Sequence, residues 1–168
     1  MKWLGILFAS IACFLIGQNM ATQLKEQCQY LQCLKLLLLR IDREIRVSRL
    51  PTAVLLQRLA KESDFQPLGF LRKTAQRFTG KQPVSILWEE ALEEETCLTK
   101  LPDTKSLIRE LGGIIGESDW ESQTSALTLV NERLDRQLDD AEQRYLTQGR
   151  LYRSLGILAG ILFAILAL

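Results

Sequence analysis

The chain has 168 residues, 24% of them charged, a net charge of only +1, four cysteines and no histidine. The missing histidine removes the commonest general base and the commonest zinc ligand. The cysteines, at positions 13, 28, 33 and 97, have no regular spacing and do not form a disulfide framework.

The first element is apolar. Residues 3–17 carry no charge, and up to residue 21 the only polar interruptions are Ser10, Gln18 and Asn19. A hydrocarbon core of about 30 Å needs about 20 helical residues, so residues 1–21 are predicted to be a transmembrane helix. Asn19-Met20-Ala21 lacks the small-x-small pattern of a cleavage site, and the run is expected to be retained as an anchor. Gly5, Ala9, Cys13 and Gly17 recur every four residues, a spacing that lets helix backbones approach closely in lipid.

Residues 22–150 read as six helices with short connections. The first runs from about Thr22 to Ser48 on the stripe Leu24, Cys28, Leu31, Leu34, Leu38, Ile41 and Ile45. Leu36 to Leu39 are apolar on every side, which predicts burial on several faces. After Pro51 a second helix turns Val54, Leu55 and Leu59 inward, followed by Phe65, and a third carries Leu68, Leu71, Ala75 and Phe78. Thr79-Gly80-Lys81-Gln82-Pro83 makes a turn. A fourth helix buries Val84, Leu87, Trp88, Ala91 and Leu92. A fifth opens at Pro102, with Asp103 placed to cap it and Leu107, Ile108, Leu111 and Ile115 inward. Ser118-Asp119-Trp120-Glu121 has the form of a capping box for a long sixth helix built on Leu127, Val130, Leu134, Leu138, Ala141 and Tyr145.

The last element is apolar again. Residues 154–168 carry no charge, and Tyr152 and Arg153 stand at their polar end as interface anchors. Residues 151–168 are therefore predicted to span a bilayer, with Gly156, Gly160 and Ala164 repeating the small-residue spacing. Arg144, Arg150 and Arg153 precede this run and Lys25 follows the first, against Lys2 on the other side. The positive-inside rule puts the middle domain in the cytoplasm. The predicted fold is thus all-α, a cytoplasmic six-helix bundle flanked by two transmembrane helices of an integral membrane protein.

Charge is segregated within the domain. Residues 40–81 hold ten Lys/Arg against four Asp/Glu, and residues 82–142 hold five against fifteen. The two halves can attract each other inside one chain, or adjacent copies can pair head to tail. A third reading is a set of solvated helix faces. The densest acidic group, Glu89, Glu90, Glu93, Glu94 and Glu95, offers a face to a basic partner. No phosphate-binding glycine motif or CxxC pair is present, and the basic segment lacks interleaved aromatics. An enzyme, a cofactor and nucleic-acid binding are therefore not expected.

Several pieces, in order and spacing, resemble the stage III sporulation protein AB family of endospore-forming bacteria. After the N-terminal apolar run come Leu38-Leu39-Arg40-Ile41-Asp42-Arg43-Glu44-Ile45 and Leu50-Pro51, then Trp88-Glu89-Glu90-Ala91-Leu92. Leu111-Gly112, Ile115-Gly116-Glu117-Ser118-Asp119 and Tyr152-Arg153-Ser154-Leu155-Gly156 complete the series. That family's soluble part is similar to the cytoplasmic six-helix domain of platform proteins in type II secretion and type IV pilus machines. The resemblance implies a scaffold in the channel between mother cell and forespore, in the membrane on the mother-cell side. The implied partners are a sporulation ATPase of the same operon, other channel membrane proteins, and further copies of the chain, since known platforms carry two such domains. The docking candidates are then Glu89, Glu90, Glu93 and Glu94, the basic stripe Arg40, Arg43 and Arg46, and the turn at Gly116, Glu117 and Asp119. The alternative is a membrane-tethered regulator that binds one cytosolic signalling protein.

Overall fold

A computed structural model describes residues 2–48, 52–80, 82–115 and 120–166. Six α-helices follow one another: α1 (Lys2–Ser48), α2 (Thr52–Leu59), α3 (Gly69–Arg77), α4 (Val84–Glu93), α5 (Pro102–Ile115) and α6 (Trp120–Leu166). Single 3-10 turns, Ser63–Phe65 and Thr96–Lys100, follow α2 and α4. No strand occurs among the described residues, and the chain is all-α.

The punctuation has local causes. Gly80 has φ +79°, a left-handed conformation that glycine adopts without steric cost, and it turns the chain between α3 and α4. Pro102 occupies the first position of α5, where its missing N–H costs nothing. Asp103 lies inside the first turn of α5 rather than at its cap, and favours the positive end of the helix from there.

The helices assort into two compact units, Tyr30–Gln137 and a second made of Met1–Gln29 with Leu138–Leu168. In the first, α2 packs on α3, α3 on α4 and α4 on α5. Its centre is Trp88, 1% exposed, whose ring meets Phe70 edge-on at 5.0 Å and whose Nε1 donates to the Ile108 carbonyl at 2.8 Å. Leu31, Leu37, Ile41, Leu56, Leu59, Leu68, Leu71, Leu92, Leu98 and Leu111 are the other large side chains that are fully buried. Two buried polar side chains bond across helices: Thr104 donates to Gln137 Oε1 at 2.8 Å, and Gln123 donates to the Ile114 carbonyl at 3.0 Å. The second bond caps a carbonyl at the end of α5 that the helix itself leaves open. In the other unit, Gly17, Ala21 and Cys28 form a buried stripe on α1, and Leu138 and Gly149 are buried on α6.

Two expectations about burial are corrected. Leu37 and Leu38 are buried, but Leu36 and Leu39 are 46% and 49% exposed, because none of the described elements covers the outer face of α1. Val54 is 49% exposed, and Leu56 takes the inward place on α2. Among the described residues no helix is long and apolar enough to cross a membrane. The side chains of residues 2–14 and 159–166, which hold most of the two apolar runs, lie outside that set. So do Gly5, Ala9, Cys13, Gly156, Gly160 and Ala164 of the small-residue stripes, Tyr152 and Arg153, and the turn with Gly116, Glu117, Ser118 and Asp119.

Candidate functional site

The acidic residues of α4 form a lattice with neighbouring helices. Glu89 and Glu93 stand four apart on α4, and Lys105 and Arg109 stand four apart on α5. Arg109 donates to Glu89 through Nε at 2.6 Å and to Glu93 through Nη2 at 2.9 Å, while Lys105 Nζ meets Glu93 at 2.7 Å. Past the end of α4, Glu94 receives Arg77 Nη2 at 2.7 and 3.0 Å and Lys73 Nζ at 3.1 Å, both from α3. The hydrogen bond from Lys105 holds the Glu93 carboxyl below its usual value, and that from Arg77 does the same for Glu94. The Glu89 hydrogen bond raises the Arg109 guanidinium further. Of the four proposed docking glutamates, only Glu90 is exposed and makes no ion pair among the described residues.

Glu95 serves the fold differently. Leu68, at the start of α3, offers no side-chain cap. The Glu95 carboxylate, two residues past the end of α4, accepts the Phe70 backbone N–H, and it sits so close to Gly69 that a Cβ there would meet Oε2 at 2.7 Å. Burial nevertheless raises its pKa, more than the Lys73 charge and the backbone bond lower it. The signs therefore oppose along one short stretch. Glu93 and Glu94, lowered, lend stability above the ordinary carboxylate range and lose it as pH falls through their folded values. Glu95, raised, costs stability when ionised and is relieved as pH falls. Glu95→Gln keeps the acceptor and removes the buried charge. We expect it to raise Tm at pH 7, with the gain vanishing below about pH 4, as read by thermal denaturation across pH.

The basic stripe lies on α1. Arg40 reaches Glu62 at 3.3 Å, and Arg46 donates from Nε to both oxygens of Asp42 at 2.8 Å. Arg43, between them, is exposed and makes no ion pair among the described residues. Of the three readings that the charge segregation leaves open, attraction between the blocks within one chain is seen in the Arg77 and Lys73 contacts to Glu94, whereas Lys105 and Arg109 belong to the acidic block itself. Their i, i+4 spacing, matching that of Glu89 and Glu93, was the signal available in the sequence.

Burial lifts the Cys33 thiol to about 11, with Asp64 adding to it, and Cys33 donates to the Asp64 carbonyl at 3.1 Å. Such a thiol is a poor nucleophile at neutral pH. No group of three or more metal-ligating side chains occurs among the described residues. A cleft lined by Leu38, Leu39, Asp42, Leu127, Thr128 and Asn131 has a volume of about 70 Å³, far below the 300 Å³ or so at which ligand pockets begin.

The fold's central contact falls between Trp88 and Gly112, where a Cβ on Gly112 would lie 2.7 Å from Trp88 Cγ and 2.8 Å from Nε1. These residues come from two of the sequence pieces that carried the resemblance, and the model of stage III sporulation protein AB matches residues 2–168. The chain belongs to this family. Stage III sporulation protein AB of Bacillus subtilis (strain 168) is 27% identical over 169 residues, covering 99% of this chain and 98% of the relative. No solved structure matches. Membership in the stage III sporulation protein AB family gives the chain a role in sporulation, and neither name denotes an enzymatic activity.

Proposed function

We propose that the chain is a membrane platform subunit of a secretion-like sporulation channel, a helical scaffold that receives a cytosolic ATPase and joins it to other membrane components. The observation that carries this reading is the continuity of α1 and α6. Each is one helix of 47 residues that holds an uncharged run at its outer end and contributes buried residues to the helical bundle at its other end. Lipid favours such runs as helices because every backbone polar group is satisfied internally. In this reading residues 1–21 and 151–168 are the spans, residues 22–150 the cytoplasmic body on the mother-cell side, and the small-residue stripes the place where spans pack.

The docking faces are the exposed edges of α4 and α1. Because Glu89, Glu93 and Glu94 are committed to Arg109, Lys105, Arg77 and Lys73, reversing them would disturb the fold as well as a partner. Glu90 and Arg43 are the cleaner probes. Chemical cross-linking of sporulating cell membranes, read by mass spectrometry, is expected to join this chain to a nucleotide-hydrolysing cytosolic protein. Cross-links confined to soluble signalling proteins with no ATPase among them would remove the platform reading in favour of a tethered regulator.

A further inference from the structure

The outer face of α1 has no partner among the described residues. Leu36, Leu39, Arg43 and Val47 follow at intervals of three and four and so lie on one side of the helix, and Val47 is 75% exposed. This is the spacing of a helix-docking seam. Its charge is specific. Arg43 has Arg40 and Arg46 one turn to either side; each of those has a carboxylate, Glu62 and Asp42, and Arg43 has none among the described residues. The seam therefore calls for an apolar surface carrying one free acid.

Such a surface exists on the same chain. Glu90 on α4 has Glu93 and Glu94 one turn ahead; each of those is paired, and Glu90 is not, among the described residues. Helix α4 contains no lysine or arginine, so no neighbour on its own helix supplies a cation. One turn before Glu90 stands Ile86, 48% exposed.

We propose that copies of this chain dock head to tail, with Ile86 and Glu90 of one copy seated on Leu36, Leu39 and Arg43 of the next. Docked head to tail, each end copy leaves one of the two patches unfilled, so the contact repeats and builds an assembly larger than a dimer. Arg43 and Glu90 supply most of its specificity, because a like charge set against either one repels. The inference goes beyond the channel reading, and it stands or falls separately from whether an ATPase binds.

The whole chain in detergent micelles, followed by native mass spectrometry over a range of concentrations, tests it. Wild type is expected to form species above the dimer. Arg43→Glu and Glu90→Arg are each expected to weaken association at least about tenfold, with helicity by circular dichroism unchanged, because both residues are exposed. The double variant Arg43→Glu/Glu90→Arg restores the pairing with its signs exchanged, and so does an equimolar mixture of the two single variants. A monomeric wild type, singles that assemble like wild type, or a double variant that stays dispersed would each overturn the proposal.

Discussion

Trp88→Ala is expected to destabilise the bundle by about 3–5 kcal/mol, the usual cost of emptying a large aromatic site, and to lower Tm by about 10 °C or more. The ring joins three helices. It is fixed by the edge-on contact with Phe70, the hydrogen bond to the Ile108 carbonyl and the close face of Gly112. Gly112→Ala is expected to cost about 1–3 kcal/mol for overpacking alone, since the new methyl would press on a ring that has no room to retreat. The two changes should not add. In the double variant the methyl introduced at position 112 enters space that the indole has left, so the pair should cost no more than Trp88→Ala alone. Denaturant melts of the four proteins measure this coupling directly. Simple additivity would mean that the two residues do not share one site. Gly113, next along α5, has open space around its Cβ position, and Gly113→Ala is the control that leaves the core alone.

That coupling also shows what was readable in advance. The inward faces of α4, α5 and α6 were legible because periodicity reports which side of a helix is apolar, and Trp88, Leu111 and Leu134 all fall on those sides. The identity of the neighbour is not a periodic property. Trp88 and Gly112 are 24 positions apart, so nothing local links them. The same holds for the cap that Glu95 places on α3 through the distant Phe70 N–H. On α1 periodicity misled for a different reason. Leu36, Leu37, Leu38 and Leu39 are chemically alike, and an unbroken apolar run reads as burial all round unless one knows that none of the described helices covers the outer side. Of the proposed site, the residue types were visible and their availability was not. Four glutamates on or beside α4 are equivalent in sequence, and only the packing of α3 and α5 engages Glu89, Glu93 and Glu94 and leaves Glu90 without an ion pair among the described residues.

Placing two lysines in each apolar run is expected to release the protein from membranes, while placing them in one run alone is not. The Leu, Ile, Phe and Val residues, eight in residues 1–21 and ten in residues 151–168, contribute about −0.3 to −0.6 kcal/mol each at a helix centre, whereas a lysine there costs about 2.5–3.5 kcal/mol. Two lysines therefore cancel one run. Leu7→Lys with Ile11→Lys addresses the first, and Ile161→Lys with Ala164→Lys the second. Either pair leaves the other run to hold the chain, so each should stay in the pellet after carbonate extraction, and the fourfold variant should move to the supernatant. Release of the unmodified protein by carbonate would remove the membrane reading altogether. Cys97 supplies the side of the membrane in the same preparation. It is exposed, whereas Cys28 is buried and Cys33 is half-buried, so it is the thiol of the bundle that a reagent reaches. An impermeant maleimide is expected to leave it unlabelled in intact cells and to label it once they are opened. Labelling of intact cells would put the bundle outside, where no ATP-driven motor could reach the α4 edge, and the platform reading would fail even with both anchors in place.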